Sequence, residues 1–318
     1  MSVKTVKLGG TASNITVGKV AYGLMTLTRD PNIPTDEEAA FVAIKAAVDL
    51  MPPGVKMFLN SGGFCLRKTF LSVKGGTKPN TLTPDSSAEN LRRSVDACLA
   101  ALRGTKKIDL FETARVDPNV PLDQAMKTLV QLKEEGKFDH IGMSECRAET
   151  LRKAHAIHPI TAVEIEVSLW SYEEEARKVI ATAEELGVIV VAYSPLSRGL
   201  LTGLITSKAE LPEVDYRRRF DRFQDENLKH NLAILEEIKV IAARKQVTLP
   251  QLAIAWVASR GPRHPSPRIY RVVENIRSGE IELTQEELDQ IADVLSRHEV
   301  KGERYIGGPI AQALHLWG

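Results

Sequence analysis

The apolar run from Val188 to Val191 is the feature that most constrains how this chain can fold. Its four residues are mostly β-branched and do not alternate with polar residues, which is typical of a strand buried on both faces of a parallel sheet. Leu186-Gly187 before it is typical of a helix end, and Tyr193-Ser194-Pro195 after it places polar groups at the carboxyl end of the strand. In parallel α/β folds that end carries the chemistry, although an ordinary core strand followed by a loop has the same local pattern.

Apolar runs and amphipathic helices alternate along almost the whole chain. The predicted strands are Val17–Leu24, Val55–Leu59, Thr69–Val73, Ile108–Phe111, Phe138–Met143, Ile160–Val167 and Val188–Val191. Repeated strand–helix units with short connections favour a parallel sheet with right-handed crossovers, and seven such units favour a closed (β/α)8 TIM barrel. No G-x-G-x-x-G follows the first strand, which argues against a doubly wound dinucleotide-binding half. We therefore expect a single domain over residues 1–318.

Two places interrupt this pattern. Only eight residues lie between Asn60 and Thr69, and a parallel crossover needs a dozen or more, usually with a helix. The stretch Ser259–Arg268 contains three prolines and no apolar run where an eighth strand belongs. We expect an incomplete barrel that lacks the helix after strand two and lacks strand eight, with the outward faces of strands two and three left exposed.

Composition excludes several classes of function. Apolar residues make up 43% of the chain, charged residues 26%, and the net charge is +1, so no electrostatic case exists for a nucleic-acid or membrane partner. No apolar run approaches the ~18 residues of a membrane span, and the N-terminus lacks the apolar core of a signal peptide. Cys65, Cys98 and Cys146 have no metal-like spacing, so we predict no metal site and a cytoplasmic, reducing environment.

Charged residues stand at the predicted carboxyl ends of several strands. Lys74 ends the apolar strand FLSVK, where a lysine can tune the pKa of a neighbouring acid; the alternative is a solvated lysine. Ser144-Glu145 ends strand five. Glu164 and Glu166 lie two residues apart in strand six and therefore face the same side, either as paired core groups or as ligand contacts.

Two further stretches fit a dinucleotide. Tyr193 can stack on a planar ring, and Ser194-Pro195-Leu196-Ser197-Arg198-Gly199 offers backbone N–H groups, hydroxyls and a cation to a diphosphate. Arg271 to Asn275, RVVEN, opens a predicted helix with a cation followed by an acid and an amide. A solvated surface helix is the alternative for RVVEN.

Taken in order, GLMTLT, FLSVKGG, IGMSE, AYSPLSRGLLTG, RRFDRFQDENLKHN and RVVENI resemble segments of the aldo-keto reductase superfamily. The resemblance covers nearly the whole chain, and the seventh-strand motif is its most specific part. FLNSG, SVKGG, DLFETARVD and VPLDQAMKTL are most similar to the fungal pyridoxal reductases, or pyridoxine 4-dehydrogenases.

The resemblance implies an NADPH-dependent oxidoreductase on a (β/α)8 barrel. Its implied catalytic residues are Asn60 in the aspartate position, Lys74 in the lysine position and Arg115 in place of the usual histidine. Its implied cofactor contacts are Ser144, Glu145 and Glu164 at the nicotinamide carboxamide, Tyr193 stacked on the nicotinamide, Ser194, Leu196, Ser197 and Arg198 at the diphosphate, and Arg271, Glu274 and Asn275 around the 2′-phosphate and adenine. The implied substrate is an aldehyde, pyridoxal by the nearest likeness.

The departures from the family pattern concern the proton donor. The motif Asn60-Ser61-Gly62-Gly63-Phe64-Cys65-Leu66 carries cysteine where the family has its catalytic tyrosine. A thiol is a poor hydrogen-bond donor. Tyr22, which precedes Gly23 at the end of strand one, is the one stand-in near the expected barrel mouth, but we favour a core role for it. Three hypotheses therefore remain: slow NADPH-dependent reduction of pyridoxal, NADP binding by a catalytically silent protein, or a chain that cannot fold stably because its barrel lacks one helix and one strand. The oligomeric state is left open.

Overall fold

Nine strands form two sheets in the part of the chain that the computed structural model describes, namely residues 3–25, 36–60, 68–79, 81–260, 272–306 and 316–317. The strands are β1 Thr5–Lys7, β2 Thr16–Gly18, β3 Tyr22–Gly23, β4 Met57–Asn60, β5 Thr69–Gly75, β6 Ile108–Thr113, β7 Phe138–Ser144, β8 Ala162–Glu166 and β9 Ile189–Tyr193. β1 and β2 pair antiparallel as a hairpin. The other seven form one parallel sheet in chain order, which confirms the predicted barrel strands.

Nine α-helices surround the parallel sheet within the described residues. They are α1 Glu37–Asp49, α2 Ala88–Leu102, α3 Leu122–Glu134, α4 Ala148–Ile157, α5 Glu174–Glu185, α6 Asp225–Arg244, α7 Leu249–Ser259, α8 Val272–Ser278 and α9 Gln285–Arg297. Side-chain caps fix several starts: Asp36 accepts from Ala39, and Thr248 and Thr284 each close a capping box. Ser87 caps α2, because its hydroxyl reaches the N–H of Asn90.

The predicted first strand, Val17–Leu24, is two elements. Val17 belongs to the hairpin strand β2, and Tyr22-Gly23 alone pairs with β4 as the first strand of the parallel sheet. A buried, continuous apolar run does not reveal this break, because both pieces are covered from water.

The N-terminal hairpin closes the amino end of the barrel. Leu8, Ala12, Val17 and Ala21 form one buried cluster with the inward-facing side chains Phe58, Phe70, Leu110, Ala162, Ile189 and Val191. Thr11 Oγ1 lies 2.7 Å from His140 Nδ1, which ties the hairpin turn to β7. Gly9 and Gly10 allow the close approach, since a Cβ on Gly9 would lie 2.2 Å from the carbonyl oxygen of Gly187.

The expected exposed patch on the outer faces of β4 and β5 is absent, and that prediction is wrong. Met57, Leu59 and Leu71 alternate with the inward-facing residues and are all fully buried. They share a continuous hydrophobic cluster with Ile44 of α1 and Leu91 of α2. The two strands pair in parallel, as predicted.

Several predictions fall outside the described residues. The crossover from Ser61 to Arg67, with Cys65, is one of them, and the region 261–271, with Arg271 and the place of strand eight, is another. Within the described residues, no helix is long and apolar enough to cross a membrane. The same residues contain no group of three or more His, Cys, Asp or Glu side chains that could hold a metal ion.

Replacing Gly9 by alanine tests the role of the hairpin. Gly9 has a negative φ of −98°, so the new Cβ introduces no backbone strain and acts through its overlap with the backbone of Thr161, Gly187 and Val188. We expect a loss of roughly 1–3 kcal/mol in the free energy of unfolding, measured by urea denaturation. Ser13→Ala, on the exposed side of the same turn, is the matched control, with a change within about 0.5 kcal/mol. Equal stability of the two variants would contradict the close packing.

Candidate active site

A buried ion cluster centred on Lys74 lies at the carboxyl ends of four barrel strands. Lys74 Nζ lies 2.5 Å from Glu164 Oε2 and 3.2 Å from Glu112 Oε1, and it donates to Asn60 Oδ1 at 3.2 Å. The Asn60 amide donates to the same Glu164 carboxylate. The register produces this meeting, because Lys74 pairs with Glu112 across β5 and β6 and all four side chains face inward.

The cluster perturbs the pKa values of its members. Burial raises the pKa of Glu112 to about 8, an effect that the positive charge of Lys74 opposes and the negative charge of Glu164 reinforces. Burial alone disfavours the Lys74 ammonium, but the charges of Glu164 and Glu112 outweigh it, so the pKa of Lys74 is raised. Lys74 is therefore charged at neutral pH, while Glu112 binds a proton over much of the neutral range.

The partners of Lys74 use all of its hydrogen-bonding capacity. An ammonium carries three N–H donors, and three different acceptors surround this one. The side chain is 20% exposed, so it meets the mouth of the barrel at its edge. A ligand oxygen that binds Lys74 must replace one of these acceptors or share a hydrogen with it.

A second cluster surrounds the carboxylate of Glu145, which is fully buried after the end of β7. Its Oε1 accepts from the Tyr193 hydroxyl at 2.8 Å and from the backbone N–H of Glu166 at 3.1 Å. Its Oε2 accepts from Arg304 Nη2 at 2.7 Å, and Arg304 is 6% exposed. These donors occupy both oxygens, so the C-terminal segment is attached directly to a residue predicted to hold the cofactor.

Tyr305 extends this network across the mouth. Its hydroxyl lies 2.7 Å from the Tyr193 hydroxyl and accepts from Arg115 Nη2 at 3.4 Å. Since Tyr193 donates to Glu145, Tyr305 donates to Tyr193. Burial first, and then the negative charges nearby, raise the pKa of both phenols. The guanidinium of Arg198 lies 4.8 Å from the centre of the Tyr305 ring, a cation–π contact that helps to hold the ring.

The loop after β9 has an unusual backbone. Ser194, Ser197 and Arg198 have positive φ angles of 51°, 47° and 56° although none is glycine. Such outliers cluster at ligand clamps. Leu196, with φ −101° and ψ 16°, is followed by the left-handed Ser197, an arrangement similar to an anion-binding nest of backbone N–H groups, although the Ser197 N–H already donates to the Ser194 carbonyl at 2.8 Å. The Arg198 side chain, however, points to Glu166, which it binds at 3.0 and 3.2 Å.

Two orphaned atoms support a dinucleotide at this mouth. Ser144 Oγ and Asn275 Oδ1 are buried and have no hydrogen-bond partner among the described residues. Both belong to the predicted set of cofactor contacts, and an uncompensated buried polar atom is costly unless a ligand satisfies it. Glu274, in contrast, accepts from Thr248 Oγ1 at 2.9 Å. The donor set fits a nicotinamide dinucleotide, with Ser144 and the β9 loop as the contacts with free capacity.

The structure brings most of the predicted residues to one mouth. Asn60, Lys74 and Glu164 meet in the first cluster, while Arg115, Glu145, Tyr193 and Arg198 meet around Tyr305. Glu164 and Glu166 share the inward face, as their spacing predicted, and each is paired with a cation. The catalytic and cofactor roles of all these residues stay predictions.

Tyr22 is not available as a stand-in for the missing tyrosine. It pairs with Leu59, whereas Gly23 pairs with the inward-facing Asn60, so the Tyr22 ring faces outward into the helix layer. The side chain is fully buried, its hydroxyl has no partner among the described residues, and burial raises its pKa. The favoured core role of Tyr22 is confirmed, and the alternative that it stands in as proton donor at the mouth is wrong.

Sequence reasoning missed Glu112, Arg304 and Tyr305. Glu112 had a usable signal, because it is a charged residue inside the apolar strand IDLFET, two positions after the inward-facing Leu110. Arg304 and Tyr305 had none, because they lie in the irregular stretch after α9 and reach the mouth only through the tertiary fold.

Comparison with known sequences gives the family. The model of the Aldo/keto reductase family matches residues 53–296. The chain is 32% identical over 316 residues to a probable pyridoxal reductase 2 of Schizosaccharomyces pombe, covering 91% of this chain and 95% of that protein. It is 35% identical over 243 residues to an aldo-keto reductase of Strobilurus tenacellus, covering 74% of this chain and 71% of that one.

Solved structures agree on the fold. A glycerol dehydrogenase of Gluconobacter oxydans superposes with a TM-score of 0.80 at 23% identity, covering 95% of this chain and 98% of that one. A thermostable aldo-keto reductase solved with the inhibitor epalrestat gives a TM-score of 0.66 at 19% identity, covering 92% and 99%. At these identities the likeness shows the barrel fold alone.

The raised pKa of Glu112 predicts a pH-dependent stability. Because the folded chain holds this proton more tightly than the unfolded chain, stability falls as pH rises from about 5 to about 8, by up to about 1.4 kcal/mol per pH unit. Glu112→Gln removes the titrating group and should flatten this fall. Urea denaturation of both proteins across that pH range measures the free energy of unfolding, and the difference between the two curves gives the contribution of Glu112. Parallel curves would contradict the assignment.

The outward position of Tyr22 predicts that its hydroxyl is dispensable. Tyr22→Phe removes an unpaired buried hydroxyl and should leave the free energy of unfolding unchanged or slightly raised. Tyr193→Phe, the matched control, removes a hydroxyl bonded to Glu145 and Tyr305 and should cost about 1 kcal/mol. Thermal or urea unfolding compares them. A loss of stability in Tyr22→Phe at least as large as in Tyr193→Phe would show that the Tyr22 hydroxyl has a partner.

Proposed function

We propose, on the premise that this chain belongs to the aldo/keto reductase family, that it is an NADPH-dependent oxidoreductase that reduces an aldehyde. Pyridoxal is the first substrate to test, because a relative that matches over nearly its whole length is named a probable pyridoxal reductase. The single observation that supports the proposal is the Lys74–Asn60 pair at the barrel mouth, held in place by Glu112 and Glu164.

The residues of the mouth suit this reaction. A bound reduced nicotinamide supplies the hydride. Lys74 places a positive charge where negative charge develops on the substrate oxygen, and a fixed charge in a water-poor site stabilises that oxygen without reorganisation. Asn60 orients Lys74 through the bond at 3.2 Å. Ser144, with its unused hydroxyl, and the nest at Leu196 and Ser197 are the proposed cofactor contacts.

Arg304 competes with the cofactor for the carboxylate of Glu145. Glu145 Oε1 accepts three hydrogen bonds, from Tyr193, Glu166 and Arg304, whereas Oε2 accepts one, from Arg304. A nicotinamide carboxamide at Glu145 therefore meets an oxygen that Arg304 already uses. This competition offsets part of the binding energy, and we expect weak affinity for the cofactor.

A silent NADP-binding protein is the second candidate. One observation favours it: Lys74 already donates to three acceptors, while the position of the family's tyrosine holds Cys65. Such a site binds the dinucleotide but, within the described part of the chain, has no phenol bonded to Lys74 to deliver the proton. General acid catalysis typically contributes about 10²–10⁴-fold, so its loss leaves binding without useful turnover.

Binding and turnover measured on the same preparation test the proposal. NADPH and NADH are titrated by fluorescence, and pyridoxal reduction is followed by the loss of NADPH absorbance. We expect tighter binding of NADPH than of NADH and slow turnover. Lys74→Met should lower kcat/KM by about 100-fold or more, because it removes the positive charge proposed to stabilise the substrate oxygen. Lys127→Met, which removes a surface ion pair with Asp123, is the control and should change little.

The possible results separate the candidates. NADPH binding with turnover that depends on Lys74 supports the reductase. NADPH binding without turnover supports the silent protein. Equal affinity for the two cofactors contradicts the choice of NADPH, and no binding of either contradicts both candidates.

A further inference from the structure

Arg115 differs from Lys74, Arg198 and Arg304 in having no carboxylate partner among the described residues. Those three form ion pairs: Lys74 with Glu112 and Glu164, Arg198 with Glu166, and Arg304 with Glu145. The hydrogen-bond acceptors of Arg115 are the neutral oxygens of Ala114 and Tyr305. Within the described part of the chain, the charge of Arg115 therefore lacks a carboxylate counter-charge.

The unused hydrogen-bonding capacity of Arg115 is concentrated on one edge of its guanidinium. Nη1 donates to the Ala114 carbonyl at 2.5 Å. Nη2 makes only the long bond of 3.4 Å to the Tyr305 hydroxyl, and Nε is buried with no acceptor among the described residues. Nε and Nη2 form the edge that matches the two oxygens of a carboxylate or phosphate in a bidentate pair.

The backbone fixes this edge at the active-site mouth. Arg115 follows β6 by two residues, and the N–H of Ala114 donates to the Gly75 carbonyl at 2.8 Å. Gly75 is the residue after Lys74, so Arg115 is held beside the strand end that carries the lysine. The Tyr305 ring covers the guanidinium, with its centre 6.0 Å from the Arg115 Cζ.

We infer that Arg115 binds an anionic group of the substrate through Nε and Nη2, so that the aldehyde carries a carboxylate or phosphate in addition to its carbonyl. The anion satisfies the orphaned Nε–H and balances the unpaired charge, and it replaces the Tyr305 hydroxyl on Nη2. This inference rests on the proposed function, since it specifies the substrate class of the same mouth. It gives Arg115 a role in substrate recognition rather than the role of the family's catalytic histidine.

Product-like alcohols test the inference without requiring turnover. Binding of 4-(hydroxymethyl)benzoate and of its amide, 4-(hydroxymethyl)benzamide, is measured by calorimetry with NADP+ present and absent. The two ligands share size and shape and differ in charge. Pyridoxine 5′-phosphate against pyridoxine provides the phosphate arm. We expect at least one anion to bind about tenfold or more tightly than its neutral partner, and the larger preference identifies carboxylate or phosphate.

Variants then assign the preference to Arg115. Arg115→Gln should remove it, and Arg115→Lys should retain only part, because lysine keeps the charge but loses the bidentate edge. Arg152→Gln, which breaks a surface pair with Glu185 on the outer helices, is the matched control and should retain it in full. Thermal unfolding verifies that each variant is folded. If Arg115→Gln does not fold, Arg115→Lys alone tests whether the anion preference depends on Arg115.

Other results would overturn the inference about Arg115 or separate it from the proposed function. Equal binding of both members of each pair, no binding of any, or a preference that survives Arg115→Gln would overturn the inference. A reductase that fails with every aldehyde but still binds the anions through Arg115 would sink the proposed function and leave this recognition standing. Turnover of neutral aldehydes without any charge preference would support the proposed function and overturn the inference about Arg115.

Discussion

The ion cluster at Lys74 is the interaction on which the mouth of this barrel depends. A buried ammonium is tolerated only with a close counter-charge and acceptors for its hydrogens, and here two other strands supply them, through the Glu164 carboxylate and the carboxyl group of Glu112. Asn60 from a third strand completes the set. Because these four groups must meet, the strands that carry them are held in one register at their carboxyl ends. The contacts that fix the barrel's upper edge are thus the same contacts that present the proposed catalytic lysine.

A second dependence links cofactor and substrate through the C-terminal segment. Arg304 occupies the carboxylate of Glu145, and the neighbouring Tyr305 bonds Tyr193 and lies over Arg115. Any ligand that reaches Glu145 or Arg115 has to displace one of two adjacent residues of a single short segment. Movement of that segment for one ligand therefore uncovers the site of the other. Cofactor and substrate should bind in a coupled manner for this reason, without a separate conformational element.

The sequence predicted the strands because burial on both faces leaves a signal in a single stretch of chain, as at Val188–Val191. It also placed Glu164 and Glu166 on one face, since alternation along a strand is a local property. The direction of the Tyr22 side chain could not be predicted, because its strand has only two residues, too few to show a period. That direction depends on the pairing of Tyr22 with Leu59. Arg304 and Tyr305 were invisible because their partners lie more than a hundred residues away. Contacts of that kind are decided by the tertiary fold.

Charge balance connects the two clusters. Together they hold four cations, Lys74, Arg115, Arg198 and Arg304, and four glutamates, Glu112, Glu145, Glu164 and Glu166. With Glu112 protonated, as its raised pKa of about 8 favours, the sum is one positive charge. Arg222, which reaches Glu166 through Ser171, adds a second positive charge, but its Nε and Nη1 both have acceptors, in Gly302 and Ser171. Arg115 is the cation of this group whose Nε has no acceptor among the described residues. With Glu112 protonated and Arg115 unpaired, the site has an excess of positive charge. This charge matches an anion, and an aldehyde that carries a carboxylate or phosphate supplies that anion.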